Sequence, residues 1–292
     1  MLKKDKIISC LKLGRPEHSI KNFLILLPPF FGHRMLSFKT LLDCFIALVT
    51  FSLIASSVYI LNDIFDREKD KLHPQKRYRP LTSGKISIST AVIVMLFSAS
   101  SGCVLTLLYA ESILALLLVG TYLIINIAYS LFLKNKPVID IFILASGFVL
   151  RVYFGGAFFN VTISPWLFLC VLCVALYFAV GKRRNELLFL SNADNSRPVL
   201  KYYTSNYLNS SYFLLCGMGI VFFSLWTILG VKHNVFLQFS IPVAIFIMFR
   251  YNLIIESKNS DGDPVSIMLK DKTLVITVLL FVLINFIGIY FV

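Results

Sequence analysis

Runs of about 20 apolar residues, enough for a helix to cross the hydrocarbon core of a bilayer, recur along this chain. They constrain its fold more than any other feature. The stretch FIALVTFSLIASSVYIL at 45–61 is one of them. In lipid every backbone N–H and C=O must find an intramolecular partner, which leaves helices or closed barrels. These runs are too long and too unalternating for barrel strands. The reading is therefore all-α: a polytopic membrane helical bundle of about nine transmembrane helices. The spans are expected at 20–33, 41–61, 88–108, 112–131, 138–159, 165–181, 211–230, 235–253 and 273–292, all in a single domain covering 1–292. Pro28 and Pro29 make the first span short and prone to kink. MLKKDKIISCLKLGRPEHS, residues 1–19, is charged and lacks the apolar core of a cleavable signal. It reads as a cytoplasmic or interfacial segment.

The connections order the spans. With the N-terminus cytoplasmic, 24 of the 28 lysines and arginines fall on that side, while Arg34, Lys39 and Lys232 fall on the other and Arg151 lies inside a span. That asymmetry is how a polytopic protein of an inner (plasma) membrane is oriented. It accounts for the net charge of +13 without nucleic acid as a partner. Cys170 and Cys173 form a CxxC within a span, where a packed thiol pair is the simpler reading. The long, charged connections are cytoplasmic, so the polar chemistry is expected on that face.

The most charged connection is NDIFDREKDKLHPQKRYRP, residues 62–80. On a helix at about 100° per residue, Asp63, Asp66 and Asp70 fall within about 60°, and Asn62 widens the arc to about 100°. Magnesium takes one or two carboxylates and completes its octahedron with water and substrate phosphates. Asn62, Asp63, Asp66 and Asp70 are thus candidate Mg2+ ligands, and the three aspartates candidate catalytic residues. Lys76, Arg77 and Arg79 follow, placed to contact phosphate oxygens that the metal leaves free. The plain alternative is a solvated loop whose charges pair locally, such as Asp66 with Lys69.

This Asn-Asp-x-x-Asp-x-x-x-Asp resembles the first aspartate-rich motif of the UbiA superfamily of intramembrane prenyltransferases. RPEHSIKN (15–22), HPQKRYRPLTSG (73–84), YSLFLK (129–134), GFVLRVYFGGA (147–157), GKRRNE (181–186), YYTSNYL (202–208) and GDPVSIMLKDK (262–272) extend the likeness. They resemble the branch that contains the decaprenyl-phosphate phosphoribosyltransferases. The resemblance implies a helical bundle with a magnesium-diphosphate site facing the cytoplasm. It implies transfer of phosphoribose from phosphoribosyl diphosphate to a polyprenyl phosphate. One departure from ordinary prenyltransferases has chemical meaning: Lys182, Arg183, Arg184 and Glu186 stand where the family's second acidic motif would hold a second magnesium. One acidic motif with added cations suits two anionic substrates.

Other polar residues have plainer readings beside functional ones. Arg151, whose burial in a membrane costs at least about 2.5–3.5 kcal/mol, either meets a substrate phosphate or pairs structurally. Asp140 lies about 16 Å away along the helix axis, too far for a direct pair. Lys182 and Glu186 at i, i+4 fit a surface ion pair as well as a phosphate site. Lys21, Tyr59, Tyr129 and Lys134 stand at cytoplasmic span ends, where interfacial anchoring explains any one of them; the resemblance raises Lys21, Asn22 and Lys134 to substrate contacts. Gly155, Gly156 and Gly147 read as close-packing positions. Rivals to the phosphoribosyl reading are a prenyltransferase acting on an aromatic or lipid acceptor and a transporter of anionic lipids. Oligomeric state and prenyl chain length are open.

Overall fold

The structure, a computed structural model, describes residues 9–72, 76–189, 198–230, 234–256 and 270–292. His73 and Pro74 of the basic motif, and residues 262–269 of the last motif, lie outside them. Among the described residues there is no β-strand, and eight helices are long and apolar enough to cross a membrane.

They are α1 (Phe38–Phe65), α2 (Ile88–Tyr109), α3 (Leu114–Leu131), α4 (Ile139–Phe158), α5 (Pro165–Phe189), α6 (Ser205–Leu225), α7 (Ser240–Glu256) and α8 (Lys272–Tyr290). A π turn, Trp226–Gly230, follows α6, and a short helix, Val235–Gln238, precedes α7. The first expected span, 20–33, falls on a 3-10 helix Pro16–Leu26 running into a short α-helix Leu27–Phe31, which is not among these eight.

Local chemistry sets the helix starts. Ser87 accepts from the Thr90 N–H at 3.2 Å and Thr204 from the Tyr207 N–H at 3.2 Å, each filling a donor that the first turn leaves open. Asp271 does the same for Leu274 at 2.8 Å, while Arg250 Nη2 donates to it at 2.7 Å. Ser164 accepts from Leu167 at 3.1 Å ahead of Pro165, whose fixed φ suits the first helical position.

The chain divides into two compact units. The first holds residues 1–134 and 150–162. Its core is Ile25, Phe51, Ile54, Tyr122, Phe154 and Phe158, all buried. Here α1 packs against α2, α3 and the 3-10 segment. Gly155 makes the closest approach: a Cβ there would stand 2.1 Å from the Ile25 carbonyl oxygen, so glycine is required. At one end of this unit Arg34 Nη1 donates to the Phe159 carbonyl at 2.6 Å and the Glu111 N–H to the Phe158 carbonyl at 3.0 Å. The charged connections gather at the other end.

The second unit holds residues 135–149 and 163–292, so the residues of α4 are shared between the two. Its core centres on Tyr177, Leu208, Tyr212, Tyr251 and Ile255. Here α5 packs on α6, and α7 on α6 and α8. A polar ladder runs through this core. Tyr212 Oη donates to Tyr177 Oη at 2.7 Å, both rings stack at 4.3 Å, and both phenols reach Asn252 Oδ1.

Candidate active site at the acidic motif

Helix α1 carries Asn62 and Asp63 in its last turn and closes on Asp66, whose N–H donates to the Asn62 carbonyl at 2.9 Å. A short helix, Arg67–Leu72, then places Asp70, whose N–H donates to the Asp66 carbonyl at 2.8 Å. Helical bonding thus carries across the break, but the acids do not form one open stripe. They separate by burial and by partner.

Asp63 and Asp70 are buried, 2% and 4% exposed. Arg15 Nη2 donates to Asp63 Oδ1. Arg79 Nη1 donates to the same oxygen at 3.0 Å and to Asp70 Oδ2 at 2.5 Å. Asp66 is more open, its side chain 36% exposed, and takes Lys134 Nζ at 2.7 Å. Asn62 Oδ1 accepts from Ser130, one helix away. The cluster therefore draws on the N-terminal segment, α1, the basic turn after it and the end of α3. A purely local loop would not do this. The local pairs are those of Glu68 with Lys71 at 2.8 Å and with Arg67 at 4.0 Å, and the Lys71 hydrogen bond above all holds the exposed Glu68 carboxyl below its ordinary range.

Arg151, 5% exposed, sits deeper in the same unit. Its Nε donates to Asn22 Oδ1 at 2.8 Å and an Nη to Tyr122 Oη at 3.3 Å. Its guanidinium lies 5.0 Å from the Phe51 ring centre and 5.3 Å from that of Tyr122. Aromatic faces and neutral acceptors thus house this charge. Asn22 is fixed in turn by donating to Ser52 Oγ at 2.8 Å. Tyr59 lies under Arg15, 5.4 Å from its guanidinium carbon, and against His18. Lys21, Lys76 and Tyr129 are half-buried; Arg77 is exposed and turns onto Tyr78, its Nη2 at 2.7 Å from the phenol.

The donor set fits magnesium. Among the described residues no three His, Cys, Asp or Glu side chains gather as a metal cage. One open carboxylate with an amide oxygen a turn before it is what a magnesium arriving on a phosphate substrate needs. Asn62 and Asp66 are that pair. Asp63 and Asp70 are already committed to arginines.

The second unit, taken by itself, resolves the GKRRNE segment. Helix α5 continues through it to Phe189, well past the apolar run. Lys182 is exposed, whereas Arg183 is 0% exposed and Arg184 8%. Arg183 Nε donates to Asp140 Oδ2 at 2.5 Å and its Nη1 to Glu186 Oε2 at 2.6 Å. Glu186, expected as a partner of Lys182, thus receives the buried Arg183. Tyr203 Oη donates to Asp140 Oδ1 at 2.5 Å and accepts from the Val138 N–H at 2.7 Å. Burial, and then the bond to Asp140, push the Tyr203 phenol above its ordinary range. Arg184 Nε reaches Asn209 and its Nη2 Glu256 at 3.2 Å.

Asp140, Tyr203, Ser130 and Arg15 were not among the expected site residues. Arg15 carried a signal, since it heads the RPEHSIKN motif. Ser130 and Tyr203 carried none beyond lying in YSLFLK and YYTSNYL.

Known proteins resemble this chain over most of its length. The profile of the UbiA prenyltransferase family matches residues 31–270. The decaprenyl-phosphate phosphoribosyltransferase of Corynebacterium glutamicum is 30% identical over 281 residues, covering 93% of this chain and 84% of that protein. The protein of the same name from Mycobacterium tuberculosis is 31% identical over 279 residues, covering 92% and 90%. Among solved structures, a UbiA homolog from Archaeoglobus fulgidus bound to GPP and Mg2+ matches with a TM-score of 0.72 at 19% identity, over 96% of this chain and 99% of that one.

Proposed function

This chain belongs to the UbiA prenyltransferase family, and from that premise we propose that it is a phosphoribosyltransferase of the plasma membrane. It moves 5-phosphoribose from phosphoribosyl diphosphate to a polyprenyl phosphate and releases diphosphate. The observation that carries the reading is the make-up of the acidic motif: one open carboxylate, Asp66, among cations already fixed in place. That suits one metal-bound diphosphate and a second phosphate met by side chains. The name shared by relatives at 30% and 31% identity supports it.

Asn62 and Asp66 would hold Mg2+, which when bound neutralises the leaving diphosphate. Lys134, which pairs with Asp66, would with the metal bound be placed for a phosphate oxygen. Lys76, Arg77 and Lys21 add cations around the same end of the first unit. In the transfer the bond from ribose C1 to the diphosphate oxygen breaks, and the electron pair leaves with diphosphate. A bond forms from C1 to an oxygen of the lipid phosphate. That oxygen is already ionised at neutral pH, so the site needs no strong base. Its work is positioning and charge neutralisation. Arg151, Asn22, Tyr122 and Tyr59 keep the inner wall rigid and polar behind the reacting groups. In this reading the charged ends are cytoplasmic.

Prenyl transfer is the second reading, favoured by the solved homolog bound to GPP. Purified protein with Mg2+, polyprenyl phosphate and labelled phosphoribosyl diphosphate decides between them. A labelled lipid product is expected. No product there, with geranyl diphosphate consumed in its place, would overturn the phosphoribosyl reading.

A further inference from the structure

Asp63 lies in the motif expected to bind metal, yet it is 2% exposed and its Oδ1 receives two guanidinium groups. Those groups come from residues 48 and 16 positions away. Two arginines converge on one oxygen only where buried carboxylates neutralise them, and Asp70 supplies the second through Arg79 Nη1 at 2.5 Å. Ligating a metal would require Asp63 to shed both arginines. Asp66 carries a single lysine, Lys134, and keeps an open face.

The arginines have donors to spare. A guanidinium offers five N–H groups. Among the described residues Arg79 engages these acids through Nη1 alone and Arg15 through Nη2 alone, with side chains 27% and 18% exposed. Arg15 is also held in a strained backbone: φ is 50° and ψ 63°, left-handed for a non-glycine residue directly before Pro16. Contacts from one face of α1 keep it there. Ser56 Oγ donates to the Gly14 carbonyl at 2.9 Å, Tyr59 lies under the guanidinium at 5.4 Å, and Asp63 takes its Nη2. Strain sustained by such contacts marks a side chain whose placement has a use.

We propose that Asp63 is a positioning carboxylate rather than a metal ligand. It clamps Arg15 and Arg79 into a double-guanidinium site for a phosphate monoester, with which their unspent N–H groups form charge-assisted bonds. Both the ribose 5-phosphate of the donor and the phosphate of the lipid acceptor belong to that class; in naming those two sources the proposal rests on the function proposed above.

The test uses the full chain in detergent without turnover. Calorimetric titrations with ribose 5-phosphate and, separately, farnesyl phosphate measure monoester binding. Mn2+ binding in the presence of inorganic diphosphate, followed by electron paramagnetic resonance, measures the metal site. One monoester should bind the wild-type chain and so identify the source. Arg15→Lys and Arg79→Lys, which keep the charge on Asp63 but lose the fork, should each weaken it about tenfold or more at an unchanged melting temperature. Asp63→Asn should weaken the monoester likewise and leave Mn2+ binding unchanged; Asp66→Asn should do the reverse. No monoester bound by the wild-type chain, unchanged affinity in the lysine variants, or Mn2+ binding lost in Asp63→Asn would each overturn the proposal. If Asp63→Asn does not fold, the two lysine variants decide. Monoester binding without transfer from phosphoribosyl diphosphate would sink the proposed function and leave this site standing.

Discussion

A fully buried carboxylate persists only in company, and Asp140 keeps Arg183 and Tyr203 beside it. Removing Arg183 strands it. Arg183→Ala is expected to cost about 3–5 kcal/mol of stability, read as a lower melting temperature in detergent; an unmoved one would mean the pair is not buried as described. Tyr203 gives this network a pH signature. Its phenol is raised above the ordinary value of 10.0, chiefly by burial. A raised group adds stability that is whole below the unfolded value and lost as pH rises through the folded one. Melting temperature should therefore fall above about pH 10, and Tyr203→Phe should flatten that alkaline fall. In the acidic motif Asp66→Ala should abolish turnover and leave the fold intact, since Asp66 is the open acid. Near-normal activity at saturating magnesium would remove it from the chemistry. The acidic motif stood out by residue type and spacing, and Lys134 only by the resemblance. The partition of the acids was not, because Arg15 and Arg79 reach Asp63 through tertiary contacts that no helical wheel contains. Nor was the role of Arg183: GKRRNE reads as three equivalent cations until burial separates Lys182 from its neighbours.

At the scale of elements, apolar runs located the long helices but not all of their ends; α6 begins at Ser205 rather than 211. The apolar spans expected to end at 61 and 181 lie in helices α1 and α5, which run on to Phe65 and Phe189. In both, hydropathy ends where charged residues begin, yet the helix continues because those charges are buried against partners. The expectation that the glycines of GFVLRVYFGGA serve packing holds at Gly155, where the 3-10 segment crosses α4. Gly155→Ala should destabilise by about 1–3 kcal/mol or more, as overpacking against an unyielding backbone does. Thermal melting checks it. A loss below about 0.5 kcal/mol would mean that the segment can shift aside.

For the whole molecule the charge asymmetry of its connections makes a topology prediction. In a chain whose native cysteines are replaced, a cysteine at Ser37 should be labelled by an impermeant reagent on intact cells. One at Ser83, exposed in the basic turn, should be labelled only after permeabilisation. Labelling of the second from outside would reverse the orientation. The segment 16–31 carries a consequence of its own. A 3-10 helix rises about 2.0 Å per residue against 1.5 Å for an α-helix, so Pro16–Leu26 and Leu27–Phe31 together reach about 30 Å with 16 residues. The stretched winding also changes the rhythm of the side chains. With three residues to a turn, every third one is eclipsed, and Asn22 and Ile25, the buried positions of the 3-10 helix, stand three apart. One is the partner of Arg151 and the next meets Gly155. In this stretch a single inserted residue rotates all that follows by about a third of a turn, so the segment behaves as a ruler with two marks and tolerates length changes only in whole turns.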